Sequence, residues 1–412
     1  MNRDILSNLI QEVAINVSQS RPESIRKKNY KQTAVRVYEN HAIGIASGLG
    51  DVNAEELTKK ATEALSLGIP YPVLPEKDHQ KTLQPPTTIM SEEEFIEEMH
   101  TLLTSLQKEN PSFTFSNKLI LRKTSHSLSN DMGLDLFQSI AHYQLGLLLN
   151  HKDSSNLFDA FVGYQSDQYD RNTFLGATKE ICSAYNHSVS HFKNGSYPVL
   201  FTHTDRTYLS KLLHDLHGQM YASGSSLFSD RIGDSPFNPM FSFYTTRSPE
   251  DFFPDPFFDL EGVYSDTFRF PLIEKGVLKS PYTDKKTAHK FHLPLSGSAG
   301  GSYDSVPTIE IPQTYIPSTG QNMKEILQGE MGIIVFMASG GDFTPDGHFG
   351  TPVQLAFFHD GTQFRGRLPQ ISLSSHVNTM FGSDFMGVSN NPLFPMDDSR
   401  QTIIRMNVST IS

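Results

Sequence analysis

One cysteine, Cys182, stands in 412 residues. That excludes an intramolecular disulfide and fits a reducing compartment. Long apolar runs are missing too. None approaches the ~18–20 residues that a membrane helix needs, so no membrane partner is expected. The first residues, MNRDILSNLIQEVAIN, carry Asp4 and Glu12 inside an amphipathic pattern and match neither a signal nor a transit peptide. Basic clusters are scarce. The formal net charge is −11, and the densest basic run, Arg26-Lys27-Lys28, reads as a solvated loop. Phosphate binding needs clustered Lys and Arg, so nucleic acid is not expected as a direct partner. No G-x-S-x-G elbow is present for a serine hydrolase, and Cys182 falls in a stretch that reads as a structural helix. What remains is an ordinary globular composition, 37% hydrophobic and 19% charged. It predicts a cytoplasmic protein of two or three domains.

Taken in order, Ile5, Leu6, Leu9, Ile10, Val13 and Val17 recur at helical spacing and predict a first amphipathic helix. Thr33, Val35 and Val37 alternate as a strand that turns at Glu39-Asn40-His41 and returns over Ala42 to Ala46. Asn53, with Glu56 three residues on, predicts the cap of a helix from Ala54 to Leu67, stopped by Gly68 and Pro70. Ile69 to Thr88 holds five prolines and no periodicity, which predicts an exposed linker. Ser91-Glu92-Glu93-Glu94 is a capping box opening a helix with Phe95, Ile96, Met99, Leu102, Leu103 and Leu106 on its buried stripe. Runs at Leu119–Arg122, Leu134–Leu149 and Leu157–Tyr164 predict an antiparallel meander. A helix over Thr173 to Tyr185 then leads to a boundary at Asn194-Gly195.

Beyond the boundary, DRTYLSKLLHDLHGQMYASGSS (Asp205 to Ser226) holds the densest set of metal-capable side chains. Asp205 suits an N-cap, and Leu209, Leu212, Leu213, Leu216 and Met220 define an apolar helix face. His214 and His217, at i and i+3, could offer two ligands to zinc, with Asp215 beside the first as a short base. The alternative is an amphipathic helix with two histidines on its polar flank. His348, His359 and His376 are distant candidates for a further ligand. Each lone histidine is more often a surface or hydrogen-bonded residue.

The run LLHDLHGQ resembles the helix LLHExxGH of the TldD/PmbA proteins, the modulators of DNA gyrase. Other blocks follow in the family's order. FFDLEG (Phe257 to Gly262) resembles its D-D-E-G element, with Leu260 in place of the second Asp. PLIEKGVLKSPYTDKKTAHKF, LPLSGSAGGSYDSVP and GGDFTPDGHFG resemble three further family segments. The resemblance spans about Val35 to Val408 and implies more strand ahead of the first hairpin, so this chain reads as trimmed there. In catalytic TldD-type members the helix supplies two His ligands and a Glu base, and a C-terminal Cys completes the site. The overlay places His214 on the first ligand, Asp215 on the base and Gln219 on the second ligand. Gln is a poor zinc ligand, and the only cysteine precedes this helix. Ligands five apart also need a helix break near Gly218.

The expected fold is α+β, with helix-flanked antiparallel sheets in the N-terminal half. A β-rich C-terminal domain with a buried helix completes it. The expected divisions are 1–88, 89–194 and 195–412. The resemblance implies a TldE/PmbA-like subunit of a cytoplasmic metalloprotease system acting on unfolded peptides, with no metal of its own. The partner would be a TldD-type chain or a second copy. The alternatives are a stand-alone zinc hydrolase using His214 and His217, and a non-enzymatic peptide-binding scaffold. Gly297, Gly300 and Gly301 lack phosphate-loop spacing and are expected where a peptide backbone approaches. Phe237, Met240, Phe241, Phe243, Phe252, Phe253, Phe257 and Phe258 crowd a proline-broken segment. They predict either an exposed interface or a plugged core.

Overall fold

The computed structural model describes residues 1–84, 89–202, 206–251, 255–394 and 400–411. The chain opens on strands, not on a helix: β1 (Asn2–Ser18), β2 (Arg21–Glu39) and β3 (Ala42–Leu49). Helical spacing in β1 misleads because both of its faces are covered near residues 12–15, which blurs the alternation expected of a strand. The strand lies between two partners, and Glu12 sits opposite both Lys28 and Arg122. Lys28 donates to Glu12 at 2.6 Å and Lys27 pairs with Glu92, so the expected basic loop is the middle of a strand. Both hairpins turn on two residues with positive φ, Gln19-Ser20 and Asn40-His41, the geometry that matches the strands' twist.

Helix α1 (Ala54–Ala64) is capped by Asn53, whose side chain accepts from the N–H of Glu55. Glu56 pairs instead with Lys60 one turn on. The stretch after α1 is better packed than its prolines suggest. Pro72 is exposed, but its neighbours Tyr71 and Val73 are buried, and β4 (Gln80–Leu83) pairs in parallel with a later strand. Pro85 and Pro86 lie outside the described residues. Helix α2 (Glu92–Glu109) has the expected capping box and buries Phe95, Met99, Leu102, Leu103 and Leu106. Each such side chain contributes about 1.5–3 kcal/mol when fully buried.

The meander follows as β5 (Phe113–Asn130), β6 (Asp135–His151) and β7 (Ala160–Ser166), then α3 (Arg171–Asn186). The sheet order is β3-β2-β1-β5-β6, and both β4 and β7 add to β6. One face of this sheet packs on α2 and α3 through Leu119, Leu121, Leu145, Leu147 and Val162. Alternate residues of β6 and β7 therefore face the second half of the chain.

That half is built on β8 (Gly195–Phe201), α4 (Ser210–Asp215), α5 (Gly218–Ala222) and β9 (Phe243–Thr246). It continues with β10 (Arg269–Glu274), β11 (Val277–Leu278), α6 (Lys285–Phe291), β12 (Ala299–Gly300), β13 (Thr308–Ile309) and β14 (Thr314–Tyr315). The last elements are α7 (Met323–Leu327), β15 (Gly332–Ala338), β16 (Asp342–Phe343), β17 (His348–His359), β18 (Phe364–Arg367), β19 (Ile371–His376), α8 (Val377–Met380), β20 (Phe385–Pro392) and β21 (Arg400–Thr410). Strands β15-β8-β21-β19-β17 close on themselves, since β17 pairs with β19 along its first half and with β15 along its second. The loop from β17 to β18 runs over residues 360–363. Asp360 there accepts from the N–H groups of Thr362 and Gln363.

Leu209, Leu212, Leu213 and Leu216 of the helical segment are buried in one core with the barrel strands. The phenylalanine-rich stretch joins that core and a second one. Phe237, Phe241 and Phe243 pack inside the barrel side, and Phe257 and Phe258 against Leu6, Leu128 and Leu136. These five plug cores and do not form an exposed interface. Met240 is exposed, and Phe252 and Phe253 lie outside the described residues.

Candidate functional site

The helix expected from Asp205 to the glycine at 224 is two short helices. After a turn over Thr207–Leu209, α4 ends at Asp215, and His217 takes extended dihedrals before α5 begins. Asp205 itself lies outside the described residues. Tyr282 forces the break. Its N–H donates to Leu216 O at 2.8 Å, its carbonyl accepts from Gly218 N at 2.9 Å, and its hydroxyl donates to Leu213 O. A β-carbon on Gly218 would lie 2.9 Å from Tyr282 O and 2.8 Å from the Thr287 methyl, so only glycine fits. The N–H of Gln219 donates to His217 Nδ1 at 3.3 Å, which caps α5.

The break divides the segment between two helices, with His214 on α4 and His217 capping α5. Asp215 points inward with its side chain wholly buried. It accepts from Lys211 Nζ at 2.8 Å, His214 Nδ1 at 2.8 Å and Leu227 N at 3.2 Å. The His214 side chain is 54% exposed, and Gln219 is exposed on the far side of the break. His217 is half-buried, edge-on to the Tyr282 ring at 5.3 Å. Burial holds its imidazole below the usual range, against the pull of Asp284. His348 and His376 do meet each other, with ring centroids 4.9 Å apart beside Asp346. His359 is buried, and burial drops its imidazole to about 4. Among the described residues, no three His, Cys, Asp or Glu side chains gather in a group able to hold a metal ion.

The FFDLEG element joins the two halves of the chain. Asp259 accepts from the N–H groups of Glu261, Val263 and Ala299. Glu261 accepts from the Tyr71 hydroxyl and from Lys285 N, and the buried Arg36 donates to Leu260 O. Burial, reinforced by Asp259, pushes the Glu261 carboxyl up to about 7. The three glycines of the adjoining loop serve this junction. A β-carbon on Gly297 would press on Val263 O, one on Gly300 on the Glu310 side chain, and one on Gly301 on Ser305.

A cleft of about 1280 Å³ opens between the first sheet and the barrel. Gln144, Gly146, Phe161, Gly163 and Gln165 form one wall, and Gly146 and Gly163 are cross-strand partners there. The opposite wall carries Arg206, Gln313, Tyr315, Phe336 and Arg400. Arg206 donates to Gln313 Oε1 and Arg400 to the Tyr315 hydroxyl at 2.6 Å. Burial lowers the Arg206 guanidinium, against the pull of Asp255. The residues singled out by spacing, His214, His217, Gln219, Gly297, Gly300 and Gly301, do not line this cleft. Sequence reasoning passed over it, although isolated glycines within the strand patterns LGLLL and FVGYQ were a readable signal.

The model of the PmbA/TldA metallopeptidase C-terminal domain matches residues 194–410. A search of curated proteins finds no match. Among solved structures the fold is similar to TldE from Thermococcus kodakarensis, with TM-score 0.79 and 16% identity over 98% of this chain and 96% of that one. It is also similar to a putative modulator of a DNA gyrase from Thermotoga maritima MSB8, with TM-score 0.78 and 14% identity over 99% and 96% of the two chains. A third, from Bacteroides thetaiotaomicron VPI-5482 and described in the same words, gives 0.77 and 12% over 100% and 95%. β1 lies ahead of the β2–β3 hairpin, where the sequence reads as trimmed of strand. With the family's C-terminal domain matched over more than half of the sequence, and the barrel, the split helix and the FFDLEG junction within that match, the chain belongs to the PmbA/TldD family.

Proposed function

We propose that this chain is a TldE-like subunit without a metal site of its own, pairing with a zinc-bearing TldD-type chain to process unfolded peptides in the cytoplasm. The observation that carries the reading is the setting of Asp215. The resemblance gives that position to the general base, yet its carboxylate is turned into the core and neutralised by Lys211. A base must reach a bound water and accept its proton. Asp215 already accepts three hydrogen bonds inside the protein. The remaining donors fit zinc poorly as well. Gln219 offers a neutral amide, and among the described residues no three His, Cys, Asp or Glu side chains gather around His214. No catalytic step is therefore routed through this segment.

Mixing the purified chain with a TldD-type chain tests the reading. Sedimentation should give a heavier complex that cleaves unfolded peptides, while neither the chain alone nor a homodimer of it does so. A monomer unchanged by the partner would overturn it.

A further inference from the structure

We infer that the cleft between the first sheet and the barrel is a docking site for an extended peptide, whose terminal carboxylate is held by Arg206 and Arg400. The choice of a peptide rests on the reading above, but the site lies within one chain and needs no second subunit.

Three features point the same way. The first is the floor. Gly146 and Gly163 face each other across β6 and β7. A β-carbon on Gly163 would meet nothing within 4 Å, and one on Gly146 only the Asn117 amide at 3.9 Å. Glycine inside a strand weakens it, and neither position has a positive φ or, among the described residues, a contact that a side chain would violate. Such a pair marks a place where another backbone approaches closely. The second is a pair of free edges. Among the described residues β7 pairs only with β6, and β14 only with β9. Residues of both strands line the cleft. Edge N–H and C=O groups accept an added strand with little demand on its sequence.

The third feature is charge. Gln313 and Tyr315 sit two residues apart at β14, and each holds one guanidinium, that of Arg206 and that of Arg400 respectively. Alternate residues share a face and stand about 7 Å apart along a strand, which puts both partners on one side of the chain, and the docked carboxylate is set between the two arginines. Among the described residues neither arginine has a carboxylate within ion-pair distance. Asp251, also in the cleft, is taken up by Arg269. The Phe161 and Phe336 rings, 4.8 Å apart, offer apolar surface to a side chain.

The test measures binding of a labelled, unstructured octapeptide to the purified chain, as the free acid and as the C-terminal amide. Hydrogen bonds to a charged group predict that amidation weakens binding about tenfold or more. Arg400→Gln should erase the difference between acid and amide. Arg400→Lys, which keeps the charge and loses the fork, should restore part of it. Gly163→Val should weaken both peptides alike. Melting curves confirm that each variant is folded. Equal affinity for acid and amide, or binding untouched by both Arg400→Gln and Gly163→Val, would overturn the inference. Failure to pair with a TldD-type chain would instead overturn the subunit assignment and leave the docking site standing.

Discussion

Replacing Asp215 by Ala separates a structural carboxylate from a catalytic one. The substitution leaves the Lys211 ammonium, whose side chain is only 9% exposed, without its counter-charge. It also removes the acceptor for Leu227 N. Breaking one side of a buried ion pair costs about 3–5 kcal/mol. Unfolding entropy near 60 °C is about 2.1 cal/mol/K per residue, roughly 0.9 kcal/mol/K for a chain of this length. The variant should therefore melt about 3–6 °C below the parent if the chain unfolds as one unit. The double variant Lys211→Met/Asp215→Leu should recover most of that loss, since an apolar pair of similar volume is near neutral in place of a buried ion pair. Circular dichroism melts of the three proteins are the assay. A single variant within 1 °C of the parent, or a double variant no better than the single, would refute the structural role.

Gly218→Val should destabilise by about 1–3 kcal/mol through overpacking against Tyr282 and Thr287; an unchanged urea midpoint would count against the close approach. The Glu261 carboxyl titrates near 7 in the folded chain against an ordinary 4.5, so the folded state holds that proton more tightly. Its contribution is full below pH 4.5 and is lost as pH rises to 7. Glu261→Gln should therefore flatten the fall in stability between those values, and parallel denaturation profiles for parent and variant would contradict this. Cys182 is buried, and its thiol is pushed up to about 12. A thiol reagent at pH 8 should label it only after unfolding; rapid labelling of the folded chain would be inconsistent with its position.

Local signals were legible where chain and neighbours agree. The Ser91–Glu94 capping box and the meander follow from adjacent residues. β1 was not legible, because its apolar residues satisfy helical spacing while burial on two faces hides the alternation. Tyr71 and Val73 dock a stretch that its prolines mark as a linker, through contacts with Tyr38 and Ile43 far away in sequence. The candidate site divides in the same way. Helical spacing placed His214 and His217 on one helix, but Tyr282, far on in the sequence, bonds to Leu216 and Gly218 and divides that helix in two. The facing cleft walls come from β7 and β14, and no local pattern brings those together.

The most direct test of the subunit assignment is the zinc content of the purified chain, measured by elemental analysis alone and after assembly with a TldD-type partner. The account predicts no stoichiometric zinc on the chain alone, and one zinc per heterodimer carried by the partner and unaffected by His214→Ala. One zinc per chain in the isolated protein, lost in His214→Ala, would contradict it.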